Sequence, residues 1–286
     1  MTLFASPDDV RERLAATGYL ADDAIATTVF LADALGKPLL VEGPAGTGKT
    51  ELAKAVATAA GAGLVRLQCY EGLDEARALY EWNYRKQLLR IQAAGEQAWE
   101  ETHDDIFSEE FLLARPLLTA IRRADTTVLL VDETDKADVE VEGLLLEVLS
   151  DFQVTVPELG TIEAVRRPFV VLTSNATREL SEALKRRCLF LHVDYPDAER
   201  EKAIVLSRVP EVVDALAEQL VRTIRTLRAL ELKKSPSIAE SIDWARTLTV
   251  LGVENLDEAA VARTLGVVLK HASDQARAVK ELGLDS

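Results

Sequence analysis

The run Gly43-Pro44-Ala45-Gly46-Thr47-Gly48-Lys49-Thr50 follows the apolar Leu39-Leu40-Val41 and leads into Glu51-Leu52-Ala53-Lys54-Ala55-Val56-Ala57. It fits the phosphate-loop pattern G-x-x-x-x-G-K-[S/T] in the context that pattern needs, a short buried strand before it and a helix after it. The glycines let backbone N–H groups turn inward on a phosphate chain, because a residue without Cβ takes the tight conformations required. Lys49 is then expected to reach the β and γ phosphates and the Thr50 hydroxyl to hold Mg²⁺. The helix opening at Thr50 aims the positive end of its dipole at the same anion. The chain is expected to bind a nucleoside triphosphate.

A second anchor lies about 80 residues on, at Thr126-Thr127-Val128-Leu129-Leu130-Val131-Asp132-Glu133. Four apolar residues running into two carboxylates describe a buried parallel strand whose C-terminal end opens onto a ligand site. Asp132 is placed to bind, through water, the Mg²⁺ held by Thr50. Glu133 is the candidate base that polarises the attacking water. Phe169-Val170-Val171-Leu172-Thr173-Ser174-Asn175 is another buried strand ending in a polar residue. Asn175 there could orient that water, touch the γ phosphate, or cap the next turn. Arg186 and Arg187 close Glu182-Ala183-Leu184-Lys185 before the last strand, Cys188–Val193. Two arginines at a helix end can also simply complement its dipole.

Around these anchors the chain predicts α/β architecture, with five strands alternating with helices in an open parallel sheet over residues 1–196. Residues 8–36 read as helix, 64–68 as strand, and 73–124 as a long helical tract interrupted near Thr102–Asp105. Tyr80, Trp82 and Tyr84 lie within that tract, followed at helical spacing by Leu88, Leu89 and Ile91. These are either core or an inserted element that meets a partner. A helix near 139–150 precedes a hairpin, 152–156 with 161–165, turning at Pro157-Glu158-Leu159-Gly160. Beyond Tyr195-Pro196-Asp197 only helices are expected, near 197–208, 211–231, 238–251 and 257–282, forming a second domain over 197–286. Ser237-Ile238-Ala239-Glu240 and Asn255-Leu256-Asp257-Glu258 fit capping-box spacing.

Composition narrows the class. Apolar residues make up 48% and charged residues 28%, as in a folded soluble protein. A net charge of −15 means that a nucleic-acid partner would need a local basic patch, and the basic pairs are scattered. No nucleic-acid partner is therefore expected. Cys69 and Cys188 form no C-x-x-C or Cys/His cluster, and His103, His192 and His271 are far apart in sequence. A reduced cytoplasmic compartment is the simple expectation, with no His-built metal site. The N-terminal residues carry no basic-then-apolar leader and no apolar run approaches membrane-spanning length, so neither export nor membrane insertion is expected.

In this order the motifs resemble an AAA+ ATPase: a phosphate loop, an Asp-Glu strand, a strand ending in Asn, an arginine near the last strand and a helical lid. The resemblance spans nearly the whole chain. Glu147-Val148-Leu149-Ser150-Asp151-Phe152-Gln153-Val154-Thr155-Val156-Pro157 is similar to the MoxR group. Ala78-Leu79-Tyr80-Glu81-Trp82-Asn83-Tyr84-Arg85-Lys86-Gln87-Leu88-Leu89 resembles its CoxD-like branch, found beside aerobic carbon monoxide dehydrogenase. The resemblance implies a P-loop fold followed by a small helical lid, and ATP with Mg²⁺ as cofactors. It carries nucleotide contacts onto Gly43, Pro44, Ala45, Gly46, Thr47, Gly48, Lys49, Thr50, Glu51 and Asp132, with Thr50 and Asp132 toward the metal. Glu133 and Asn175 become catalytic, Asn175 as a sensor. Arg187, with Arg186, becomes an arginine finger reaching the neighbouring subunit's nucleotide. A homo-oligomeric, commonly six-membered ring follows, acting as a remodelling or maturation chaperone. Its implied partners are a von Willebrand factor A domain protein and a metalloenzyme client, plausibly a molybdenum-containing dehydrogenase.

Two positions depart from the family pattern. Arg186 stands where Asp commonly precedes the finger, so either arginine could act. Ser237 follows Ser235-Pro236 where a lid sensor arginine is often found, leaving Arg246 or no lid residue in that role. A DNA-handling AAA+ module is the alternative reading, opposed by the acidic charge. A scaffold without hydrolysis is opposed by the presence of both Glu133 and Asn175.

Overall fold

The computed structural model describes residues 2–94 and 106–284, which fold into two compact units. The first comprises residues 1–17, 21–43 and 49–192; the second comprises 18–20, 44–48 and 193–286.

The first unit is built on a parallel sheet of five strands: β1 (Leu39–Glu42), β2 (Gly63–Gln68), β5 (Thr127–Asp132), β8 (Phe169–Ser174) and β9 (Leu189–His192), ordered β2-β5-β8-β1-β9. Strands β5 and β8 are buried at every position, which explains their unbroken apolar runs: a parallel strand covered on both faces has no polar side to show. The register aligns the C-terminal ends. Gln68 lies opposite Asp132, Val131 opposite Leu172, and Glu42 opposite Ser174. Polar residues that end separate strands therefore gather along one sheet edge, where open α/β sheets bind ligands. Antiparallel β6 (Gln153–Val156) and β7 (Gly160–Glu163) form the expected hairpin after the helix Val139–Asp151.

Two expectations in this unit are corrected. The single helix over 8–36 is two, Pro7–Ala16 and Asp23–Leu35. Gly18 takes φ +79°, and the Asp22 carboxylate accepts the Ile25 N–H at 2.8 Å, so one helix is stopped and the next is capped despite apolar residues on both sides. The tract 73–124 is not continuous helix either. Tyr80–Trp82 (β3) pairs antiparallel with Leu112–Ala114 (β4), flanked by helices Glu75–Ala78, Tyr84–Ala94 and Pro116–Arg122. Trp82 is buried, edge-on to Phe107 at 5.3 Å, whereas Tyr84, Leu88 and Leu89 are exposed and do not join the core. The interruption expected near 102–105, His103 included, lies outside the described residues.

The second unit is helical: Ala198–Arg208, Asp214–Ala229, Ile238–Val250, Glu258–Val268 and Ala272–Leu282. The helix expected over 257–282 is thus two. Leu269 is buried in the break, and Asp274, near the start of the second segment, accepts the N–H groups of Lys233 and Lys234 at 3.1 and 3.3 Å. The capping box at Ser237 and Glu240 is present. At the later site Asp257 caps instead of Asn255, its carboxylate accepting the Ala260 N–H at 2.8 Å. Trp244 is fully buried and donates to Thr264 Oγ1 at 2.7 Å. A buried ion pair organises one side of the bundle. Arg228 donates to both oxygens of Glu201, 2.6 and 2.8 Å, and to the Pro236 carbonyl at 2.8 Å, and it stacks 4.2 Å from the Tyr195 ring. Among the described residues, no helix is long and apolar enough to cross a membrane.

Candidate functional site

In the first unit, three elements converge on Asp132 at the end of β5. The Thr50 hydroxyl, in the first turn of the helix Lys49–Ala59, donates to Asp132 Oδ1 at 2.8 Å, and Thr173 Oγ1 on β8 donates to the same oxygen at 2.6 Å. Arg66 on β2 donates to Oδ2 at 2.6 Å. The carboxylate itself is 2% exposed. Burial on this scale is tolerable for a charge only with such partners.

Glu133 leaves β5 with φ +55°, in the left-handed region that non-glycine residues seldom occupy. Its N–H donates to Thr173 Oγ1 at 2.9 Å, so one threonine of the neighbouring strand fixes both acidic residues. The Glu133 carboxylate accepts from Gln68 Nε2 at 2.9 Å and Lys136 Nζ at 2.7 Å. Backbone strain at a single carboxylate, held by a neighbouring strand, is the kind of feature found where chemistry is done.

Lys49 is buried and donates to the Gly43 carbonyl at 2.7 Å. Desolvation lowers its pKa, opposed by the negative charges of Asp135, Asp132, Glu133 and Glu42. A buried ammonium facing these acids is suited to an anion of high charge, whose arrival restores what burial removes. Asp135 is held by the Asn175 N–H at 3.1 Å and the Thr177 N–H at 3.1 Å. Burial pushes its pKa up, but hydrogen bonds from the Thr177 hydroxyl and those N–H groups outweigh this and leave it below the ordinary value. Asn175 is thereby fixed by its backbone directly after β8.

A divalent ion fits this chemistry. The Thr50 hydroxyl beside Asp132 offers hard oxygen donors, and Mg²⁺ is commonly held by one or two protein oxygens with water and phosphate supplying the rest. Among the described residues no cluster of three or more His, Cys, Asp and Glu forms an all-protein metal cage. Glu51 follows Thr50 and pairs with Lys54 at 3.5 Å.

The middle of the phosphate loop, Pro44–Gly48, packs within the second unit. The Ile238 N–H donates to the Gly46 carbonyl at 3.1 Å, and the Tyr195 hydroxyl donates to the Ala45 carbonyl at 3.4 Å. Thr47 Oγ1 bonds back to the Pro44 carbonyl at 3.0 Å. A Cβ on Gly46, at φ +78°, would sit 2.1 Å from Ser237 Cβ and 2.9 Å from its hydroxyl. Gly46→Ala is accordingly expected to cost about 1–3 kcal/mol of stability, from strain and overlap together, with nucleotide affinity reduced about tenfold or more. Removing the obstacle in Gly46→Ala/Ser237→Gly should recover part of the loss, read by thermal unfolding and nucleotide titration. Arg246, proposed from sequence as a lid sensor, is exposed and pairs with Asp243 at 3.6 Å; Ser237 and Ile238 are the residues of that helix start that reach the loop.

The two arginines differ. Arg187 Nε donates to Ser150 Oγ at 2.6 Å and Nη1 to the Ala183 carbonyl at 3.0 Å, tying it to its own chain. Arg186 is exposed, and its side chain makes no hydrogen bond or ion pair among the described residues. Sequence reading missed Arg66, Gln68, Thr173, Lys136 and Asp135. Arg66 and Gln68 alternate with buried Val65 and Leu67 on the edge strand β2, a pattern that an ordinary solvent-facing side also gives, so the sequence carried no signal that set them apart.

The model of the AAA domain, dynein-related subfamily, matches residues 38–188. An uncharacterised protein of Staphylococcus haemolyticus is 27% identical over 243 residues, 81% of this chain and 84% of its own length. One of Staphylococcus aureus is 28% identical over 243 residues, with the same shares of 81% and 84%. Among solved structures, a proline-to-glycine variant of Thermotoga maritima RuvB gives a TM-score of 0.50 at 18% identity, covering 99% of this chain and 73% of that one. An alanine-to-serine variant of the same protein gives 0.50 at 19% identity, covering 92% and 70%. At such identity the likeness concerns the fold alone.

Proposed function

We propose a function from one premise: the chain belongs to the dynein-related subfamily of AAA domains. It hydrolyses ATP with Mg²⁺ and uses the cycle to remodel or mature a client protein. The observation that carries the hydrolytic reading is the Thr50–Asp132 hydrogen bond at 2.8 Å, which brings the phosphate-loop hydroxyl and the Asp-Glu strand together across 82 residues of sequence.

When bound, the metal ion would neutralise charge developing on the transferring phosphoryl group. Thr50 and Asp132 would hold it. Lys49 binds the β and γ phosphates, and the helix starting at Lys49 presents its N-terminal dipole to them. Glu133, freed from Gln68 or Lys136, accepts a proton from the attacking water. Asn175 orients that water, its position set by Asp135. An arginine from a neighbouring subunit completes the site, making turnover depend on a homo-oligomeric ring, most simply a hexamer.

The finer reading is a MoxR-type chaperone of the CoxD-like branch, working with a von Willebrand factor A domain partner on a molybdenum-containing dehydrogenase. Support for it comes from the sequence resemblances around Ala78–Leu89 and Glu147–Pro157, the latter ending in the hairpin strand β6. Purified protein is expected to release phosphate from ATP at a rate that needs Mg²⁺, and to lose both binding and turnover on Lys49→Ala. Absence of Mg²⁺-dependent phosphate release would sink the hydrolytic reading, and turnover that survives both EDTA and Lys49→Ala would remove it from this site. The DNA-handling alternative has only fold likeness behind it.

A further inference from the structure

Asp132 is the residue to which the reading above assigns the metal, yet a cation already reaches it. Its Oδ1 accepts from two neutral hydroxyls, those of Thr50 and Thr173. Its Oδ2 accepts, among the described residues, from Arg66 alone, at 2.6 Å. The carboxylate is buried while the Arg66 side chain is 48% exposed, so the pair has one fixed member and one with a path to water. The Arg66 guanidinium also bonds Gln68 Oε1, whose Nε2 donates to Glu133 at 2.9 Å.

We propose that Arg66 is a built-in counter-ion for Asp132, a positioning residue that compensates the buried carboxylate before metal loading and must withdraw when Mg²⁺ is bound. The inference rests on the Mg·ATP reading. A buried carboxylate short of compensating charge is costly, and the Lys49 ammonium is shared among Asp135, Asp132, Glu133 and Glu42, so the site without metal needs this partner. Two cations drawn to one carboxylate repel each other, so the same partner raises the metal concentration needed to fill the site. Arg66 thereby sets a threshold: the site stays internally neutralised until nucleotide brings a divalent ion whose phosphate ligands add to what Asp132 offers. Because the guanidinium also holds Gln68, its withdrawal removes a hydrogen bond from the residue restraining Glu133, so metal loading and release of the hydrolytic carboxylate are linked. The exposed outer part of Arg66 lets it leave without unpacking the sheet.

The test is Mn²⁺ binding to the full-length protein loaded with adenylyl imidodiphosphate, read from the electron paramagnetic resonance of free Mn²⁺. Arg66→Gln is expected to bind Mn²⁺ about tenfold more tightly than wild type, and Arg66→Lys, which keeps the charge, to stay within about threefold. Thermal unfolding supplies a second readout that tolerates a weakened variant. Arg66→Gln should melt below wild type in EDTA and lose that deficit with Mn²⁺ and nucleotide, whereas a merely structural arginine would leave the deficit in both conditions. Mn²⁺ affinity that is unchanged or weaker in Arg66→Gln, while Asp132→Asn weakens it, overturns the counter-ion role and leaves the metal assignment standing. Unchanged affinity in Asp132→Asn overturns the metal assignment, and the proposal with it.

Discussion

Replacing Glu133 by Gln is expected to leave ATP affinity within about threefold of wild type while lowering kcat by about 10²-fold or more, the usual range for removing a positioned general base. The argument is local. Glutamine keeps the size of the side chain and an oxygen that can accept from Gln68 Nε2, so the end of β5 and its threonine contact are preserved. What disappears is the negative charge that takes the proton. The pair with Lys136 is also lost, but with the lysine 44% and the glutamate 33% exposed its contribution falls within about 1 kcal/mol. Folding should therefore be close to wild type, and the defect should reside in turnover alone. Binding measured with a fluorescent ATP analogue, beside phosphate release under saturating nucleotide, separates the two. Turnover within a few-fold of wild type would remove Glu133 from the chemistry.

The second large effect concerns the arginines before β9. Because Arg187 is tied to Ser150 and Ala183 while Arg186 stands exposed, Arg186 is the better candidate to reach a neighbouring subunit. Arg186→Ala is expected to lower turnover of the assembled protein by about 10³-fold, the lower end for loss of an arginine finger. Arg187→Ala should act chiefly on stability, by about 1 kcal/mol, through its hydrogen bonds at the end of the helix Val139–Asp151. Mixing gives a sharper check. Arg186→Ala subunits retain their own Glu133, and Glu133→Gln subunits retain Arg186, so mixed assemblies should regain activity that neither has alone. Absence of recovery in confirmed mixed assemblies, or normal turnover in the Arg186→Ala/Arg187→Ala protein, would end the assignment.

The five-stranded sheet and the phosphate loop were legible because their signals are local. Runs such as Val128–Val131 and Phe169–Leu172 have no polar alternation, and the loop carries its chemistry in consecutive residues. The tract 73–124 misled for a physical reason: the helical spacing of Leu88, Leu89 and Ile91 belongs to a real helix, but their side chains are exposed, so the pattern did not mark core. Tyr80–Trp82 is too short a strand to show its period, and its partner lies some thirty residues away at Leu112–Ala114. The same distance problem hid much of the site. Arg66 meets Asp132 across 66 positions and Thr173 meets it across 41, contacts that only the sheet register creates. Which arginine was held back was also invisible, since Ser150 is 37 residues from Arg187.

The grouping of Pro44–Gly48 with the helical unit bears on how such chains can be recombined. A swap cut at a linear boundary near residue 193 would transplant Tyr195, Ser237 and Ile238 but leave behind the segment they grip. A viable chimaera must carry those five residues along with the bundle, as an island inside foreign sequence. Homologous exchange should therefore show co-inheritance between the loop interior and the distant C-terminal third, a constraint that a one-dimensional map of the polypeptide would not suggest.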